Sequence, residues 1–251
     1  MDAVSFISVF LISFIAASVD VMVGGGGLIT IPALGSLGFA LRSVIATNRL
    51  FVVFFTLAAL ANYWHQKIRV DVKPLVVLLV ARSAGAYVGA NAVLTVATTE
   101  LKFLVAGFMV AAIAAILVLD RQKGRTLDFL PKGPVRLALV AALFAVLGYY
   151  EGFVGGGGGT ISRVLLMLFL GLPLLEAGVA ELVMTVATSL TASTVFVSQG
   201  AVDYVLLVPM LAGGVIGALA GSHLAVKKGE AWLRPLLFVV VGALLVKLVF
   251  F

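Results

Sequence analysis

The chain has no cysteine among its 251 residues. That excludes disulfides, thiolate metal sites and cysteine nucleophiles, and it says nothing about compartment. Charge is scarce as well: 11% of residues are Asp, Glu, Lys or Arg, against about 25% in soluble domains. Only two histidines occur, His65 and His223, with no second histidine near either, so a histidine metal site is not expected. No glycine run ends in the Gly-Lys-Ser/Thr of a phosphate loop, which argues against nucleotide binding. His-Glu-x-x-His and Gly-x-Ser-x-Gly are also missing, so no hydrolase constellation is in view and the chain does not read as an enzyme. The start, Met1-Asp2-Ala3-Val4, lacks a basic n-region, so the first apolar run reads as a retained helix rather than a cleaved signal. No cofactor is expected.

What the chain has in abundance is apolar length. Hydrophobic residues make up 63% of it, in runs that reach the roughly 17–25 residues a bilayer-spanning helix needs. The runs are continuous rather than alternating, which points to helices and not to a barrel. Expected apolar segments are 6–23, 44–64, 74–96, 101–119, 135–150, 177–197, 204–225 and 232–251, with two short ones at 28–41 and 164–175. Segment 101–119 carries almost no polar residue and is expected to face lipid. The net charge of +6 sits mainly in the loops between spans, a membrane bias rather than a nucleic-acid signal. A multi-pass protein of the cell membrane is expected, with the lipid bilayer as its surroundings and Trp64 and Trp232 as interfacial anchors.

Two glycine runs interrupt this pattern. The first is Gly24, Gly25, Gly26 and Gly27; the second is Gly155, Gly156, Gly157, Gly158 and Gly159. Each glycine disfavours helix by roughly 1 kcal/mol relative to alanine. An acid precedes each run by four residues, Asp20 and Glu151, and a hydroxyl follows each, Thr30 and Thr160. Anchors recur at one offset: Gly27 with Gly159, Asp71 with Asp203, Gly85 with Gly217, Gly89 with Gly221, each 132 apart. This is an internal duplication: 1–119 forms the first repeat, 120–134 a cytoplasmic linker, and 135–251 the second repeat. The spacings Gly85-x-x-x-Gly89 and Gly217-x-x-x-Gly221 read as close-packing helix faces.

Charge placement separates two topologies. With four full crossings per repeat, eight basic residues face five. If each glycine run is instead the tip of a hairpin, one side collects Lys67, Arg69, Lys73, Arg121, Lys123, Arg125, Lys132, Arg136, Lys227, Lys228 and Arg234, and the other keeps Arg42 and Lys102. Eleven against two obeys the positive-inside rule far better. The expected fold is therefore an all-α integral membrane protein of two inverted repeats. Each is a broken-helix hairpin with a Gly-rich tip plus three transmembrane helices, and both chain ends lie outside. Broken helices in inverted repeats place a binding site near the midplane.

The short helix after each run points its N-terminus, with free N–H groups and a partial positive charge, at that site. Two such ends favour an anion, here a small oxyanion held by many donors. Thr30, Thr160 and Ser162 add hydroxyls, and Asn48 adds an amide. Arg49, Arg82 and Arg163 lie in apolar segments, where an unpaired charge costs several kcal/mol. Arg82 serves either the substrate or an acid such as Asp20 or Glu181; Arg163, beside the second run, is the better substrate candidate; Arg49 pairs with an acid, snorkels or binds substrate. Asp20, Glu151 and Glu181 either carry protons for coupling or hold structure. Glycine runs can also serve tight packing alone, though packing calls for spaced rather than consecutive glycines.

The run Gly24–Pro32, then Leu37-Gly38-Phe39, Ala46-Thr47-Asn48 and Val70-Asp71, resembles the TauE/SafE sulfite exporter family of membrane permeases. The second half repeats the pattern in Gly155–Ile161, Leu170-Gly171-Leu172-Pro173 and Gly200-Ala201-Val202-Asp203. The family's Gly-Thr-Ser is Ala46-Thr47-Asn48 in one half, and Ala180-Glu181 stands there in the other, both near the presumed site. The resemblance implies a secondary transporter of sulfite, sulfonates or related sulfur-containing anions. An anion channel of similar selectivity is the alternative, and the oligomeric state stays open. The topology has a direct test: single cysteines replacing Lys123 and Gln199 are expected to react with an impermeant thiol reagent from opposite sides of the membrane, and reaction from the same side would overturn the inverted arrangement.

Overall fold

In a computed structural model, which describes residues 2–120 and 133–228, every regular element is helical. The expected linker residues 121–132 and the last apolar segment, 232–251 with Trp232 and Arg234, lie outside the described residues. The helices are α1 (Ala3–Val23), α2 (Gly27–Ser36), α3 (Leu41–His65), α4 (Val76–Thr95, after a 3-10 turn at Lys73–Leu75), α5 (Thr98–Asp120), α6 (Pro134–Phe153), α7 (Gly158–Leu170), α8 (Leu174–Ser198) and α9 (Tyr204–Lys228). Seven of them are long and apolar enough to cross a membrane; α2 and α7, of 10 and 13 residues, are not.

The helix breaks fall at the glycines. α1 stops at Val23, and Gly24, with φ +83°, turns the chain through a region open to glycine and costly for other residues. α7 begins at Gly158, ahead of the apolar segment expected from 164, because the last two glycines of the run already adopt helical geometry. Segment 101–119 does more than face lipid. Leu101, Val105, Met109, Ala112 and Ile116 form one buried stripe of α5 at helical spacing, while Phe103, Val110 and Val118 stay exposed.

Helix directions follow from close contacts. A Cβ added at Gly213, Gly217 or Gly221 of α9 would meet the carbonyls of Phe10, Phe14 or Ser18 of α1, so α1 and α9 run in the same direction. Ser18 Oγ donates to the Gly217 carbonyl at 2.9 Å across that seam. At the start of α3, Thr47 Oγ1 accepts from the Asp203 N–H at 2.9 Å, and near its end Asn62 Nδ2 donates to Ser222 Oγ at 2.6 Å; α3 therefore also runs with α9. On the other flank, Gly148 and Gly152 of α6 lie on the carbonyls of Arg82 and Ala86, so α4 and α6 run together. The connection 66–72 is too short, at about 25 Å extended, to travel back along α3, which is about 37 Å long. α4 consequently starts at the end where α3 finishes. The same reasoning across 199–203 makes α8 antiparallel to α9, and hence to α3.

The two glycine seams have no space for side chains. Gly89 and Gly217 are each packed on a facing carbonyl, whereas Gly107 of α5 has nothing within 4 Å. Replacing Gly89 or Gly217 by Val is expected to lower the thermal midpoint in detergent by an amount matching about 1–3 kcal/mol or more of overpacking, and Gly107→Val to leave it unchanged. Equal effects at all three positions would contradict the packing described.

Candidate functional site

The two glycine tips meet in the middle of the bundle. A Cβ at Gly27 would fall on the Gly155 carbonyl, and one at Gly24 on the backbone of Gly159 and Thr160. The tips thus touch backbone to backbone. Between them lies a cavity of about 20 Å³, room for about one water. Asp20 and Gly27 line it from the first tip, and Glu151, Gly155, Gly157, Gly158 and Gly159 from the second. Arg49 and Val52 reach it from α3, and Glu181 and Thr185 from α8. Arg49 and Val52 lie about 12 and 17 Å along α3, and Glu181 and Thr185 at similar distances along the antiparallel α8. The cavity is therefore at mid-depth.

Three carboxylates converge on the N-termini of the two short helices. Asp20 Oδ1 accepts the N–H of Gly26, the residue just ahead of α2, at 2.5 Å. A Cβ at Gly158 would land on the Glu151 carboxyl group, and one at Gly159 would come 2.9 Å from Glu181 Oε1. Both glutamates thus lie over the first turn of α7. These are the positions where a helix end stabilises negative charge, and glycine is what lets the carboxylates approach so closely.

Three guanidiniums balance them, in unequal ways. Arg82, fully buried, is bidentate to Glu151, with Nε to Oε2 at 2.8 Å and Nη2 to Oε1 at 2.5 Å. Its Nη2 also donates to Thr185 Oγ1 at 3.1 Å and lies 3.5 Å from Glu181 Oε1. Thr185 in turn donates to Glu181. The partner Arg82 grips is thus Glu151, with Glu181 beside it; Asp20 is occupied elsewhere, at Gly26. Arg163 Nη1 donates to the Met22 carbonyl at 2.5 Å and Nη2 to that of Val21 at 3.4 Å, closing the C-terminus of α1; Nη2 stands 3.9 Å from Glu181 Oε2. Arg49 is different. It is buried to 3% exposure, its Nη1 contacts Ser189 Oγ at 3.4 Å, and its Nε has no partner. Its guanidinium packs against Gly155, whose φ of +89° and bare Cα leave the space. Among the described residues Arg49 makes no ion pair.

Several residues expected at the site serve the tips instead. Thr30 Oγ1 donates to the Gly26 carbonyl at 3.1 Å and Thr160 Oγ1 to that of Val23 at 3.1 Å. Gly24, Gly25, Gly26 and Gly156 shape the tips without lining the cavity, and the Gly156 carbonyl accepts from the Tyr150 hydroxyl. Asn48, at 1% exposure, has neither side-chain polar atom bonded, and Ser162 Oγ is likewise unpartnered; neither lines the cavity. Sequence reasoning passed over Val52 and Thr185. Thr185 carried a readable signal, since it stands one helical turn after Glu181 and so shares its face.

The chain matches the sulfite exporter TauE/SafE family over residues 9–248. It belongs to that family. It is a membrane transporter, not an enzyme, and a multi-pass protein of the cell membrane. Three relatives fit this placement. A probable membrane transporter protein of Haemophilus influenzae is 27% identical over 246 residues, 96% of this chain and 93% of its own. A probable membrane transporter protein, ORF9, of a Sinorhizobium species is 30% identical over 95% of this chain and 90% of its own. The probable membrane transporter protein YfcA of Escherichia coli K12 is 25% identical over 96% and 88%. No solved structure matches the transporter.

The Arg82–Glu151 pair makes a specific demand. Removing one partner leaves the other charge buried and alone, at a cost of about 3–5 kcal/mol, while replacing both with apolar residues is often neutral. Arg82→Met alone is expected to lower the thermal midpoint sharply, and Arg82→Met with Glu151→Met to recover most of the loss. A double variant as unstable as the single one would show that the pair is not the unit.

Proposed function

We propose that this transporter carries small sulfur-containing oxyanions, sulfite or sulfonates, by alternating access about the cavity between the glycine tips. The observation that carries the reading is Arg49. A buried guanidinium with no carboxylate in ion-pair contact is expensive in a membrane, and here it faces a mid-depth cavity lined by glycine backbone, the N-terminus of α7 and the carboxylates of Asp20, Glu151 and Glu181. An oxyanion engages the Arg49 donor that no protein group contacts, and protonation of one of these acids offsets its added charge. Arg82, already engaged by Glu151, keeps the tips in register.

The alternating-access reading also draws on the helix directions. α1, α3 and α9 run one way and α4 and α6 the other, so α4 and its 132-offset counterpart α9 are opposed. This supports two inverted repeats whose hairpins enter from opposite sides. Such repeats exchange conformations to open first one side and then the other. A cavity of about 20 Å³ suits the closed interval of a carrier better than a conducting channel.

Proton coupling belongs to the same proposal. With three carboxylates set against three guanidiniums around the tips, an entering anion adds unbalanced charge, and protonating Asp20, Glu151 or Glu181 removes it. In proteoliposomes, sulfite flux is expected to follow an imposed pH gradient, and Glu181→Gln to abolish that dependence. Flux indifferent to the gradient and to Glu181→Gln would remove the coupling. For the substrate, thermal stabilisation by sulfite, thiosulfate, sulfate, sulfoacetate, taurine and chloride is the direct test. A true ligand at a hundred times its Kd adds about 2.7 kcal/mol, and Arg49→Gln is expected to remove the shift. No shift with any of these anions would count against the site.

A further inference from the structure

A second cavity, of about 130 Å³, lies apart from the tip cavity and is bounded by Val21, Met22, Tyr63, Arg163, Leu175 and Gly178. Its position in the bundle follows from the helix directions. Val21 and Met22 are in the last turn of α1, Tyr63 is in the last turn of α3, and Leu175 is in the first turn of α8. Because α8 runs against α3, Tyr63 and Leu175 lie toward one side of the bundle, and the last turn of α1, beside the first glycine tip, borders the cavity from mid-depth. That side also carries Lys67, Arg69, Lys73 and Lys227. It is the basic, and by the positive-inside rule the cytoplasmic, side.

The polar floor of this cavity is Arg163. Its guanidinium rests against Gly178, where an added Cβ would stand 3.1 Å from Cζ, and no larger residue would leave that plane free. The same guanidinium reaches Met22 and Val21 of α1 at 2.5 and 3.4 Å and Glu181 Oε2 at 3.9 Å. Glu181 also lines the tip cavity. One cation therefore stands between an outer cavity large enough for a small oxyanion and an inner one with room for about one water.

We infer that the outer cavity is an anion-entry vestibule on the cytoplasmic side, with Arg163 as both its docking cation and its gate. The inference rests on the anion-transport reading above and adds a second subsite to it. A small oxyanion docks on Arg163. It competes there with Glu181 for the guanidinium and with the α1 carbonyls for its donors. Loosening those contacts opens the step from the vestibule to Arg49. Arg163 thus acts before the central site, on entry from one face. This gives it a different role from Arg82, which is locked in a bidentate pair.

The lack of native cysteines makes the test clean. Leu175→Cys puts a single thiol at the vestibule wall. Its rate of modification is measured with a sulfonate-bearing methanethiosulfonate and with the trimethylammonium counterpart, applied from the cytoplasmic face of membrane vesicles. A cationic floor in a confined cleft raises anion encounter rates by about 10–1,000-fold, so the anionic reagent is expected to react at least about tenfold faster. Arg163→Gln is expected to erase that preference and Arg163→Lys to keep it, and sulfoacetate, which unlike sulfite does not attack the reagent, is expected to slow the reaction. Equal rates for the two reagents, or a preference unchanged in Arg163→Gln, would overturn the vestibule. Should Arg163→Gln fail to fold, protection by sulfoacetate in the Arg163-containing protein decides, and its absence overturns the proposal. Failure of the transport reading looks different. An Arg163-dependent preference without sulfite flux keeps the vestibule and removes the carrier, whereas flux without any preference removes the vestibule alone.

Discussion

Everything in this transporter is arranged around two stretches of bare backbone pressed together at mid-depth. Gly27 sits on the Gly155 carbonyl and Gly24 on the backbone of Gly159 and Thr160, with no volume left for a Cβ. Backbone in that place has lost its helical hydrogen bonds, and the surrounding apolar medium offers none in return. The tips must be satisfied from within the protein. Asp20, Thr30, Thr160, Tyr150 and Arg163 do so by binding Gly26, Val23, Gly156 and Met22. The two seams of small residues, α1 with α9 and α4 with α6, then hold the helix that leads into each tip against a helix distant in sequence. Reciprocal packing of this kind ties any movement of one tip to the helices that flank the other.

Charge is the second constraint, and it is subordinate to the first. Carboxylates lie at both short-helix N-termini because glycine lets them come close and the helix ends stabilise them. Guanidiniums follow to balance them. The balance is uneven in space: Arg82 and Glu151 form a tight bidentate pair, Arg163 is shared between carbonyls and Glu181, and Arg49 is left facing the cavity. A rigid pair, a shared cation and an unpaired one have different capacities to respond to an arriving anion. On the proposed carrier reading, some of these charges hold while others let go.

Much of the fold was legible in the sequence. Apolar run length sets the spans and consecutive glycines set the breaks, because each depends on chain-local chemistry. Boundaries moved where local chemistry was ambiguous. α7 takes in Gly158 and Gly159, since the end of a glycine run can enter a helix once the tertiary contact holds it. The buried stripe of α5 was hidden because nearly all its residues are apolar, so no polar face marks the lipid side. At the site, the glycines, acids and arginines stood out as exceptions in apolar segments. Their partners did not, because a hydroxyl such as Thr185 is unremarkable until Glu181 and Arg82 are placed beside it.

The sequence by itself determined that this chain lives in a membrane, that it breaks its helices twice, and that buried charge gathers near the breaks. These follow from composition and spacing, which act residue by residue. Only the tertiary structure decided which arginine meets which acid. Arg82, Arg49 and Arg163 are alike in sequence context, each a cation in an apolar segment. Their difference arises from contacts 69 to 142 positions apart along the chain. Pairing at such separation depends on helix direction and register, and those are set by packing of the whole bundle.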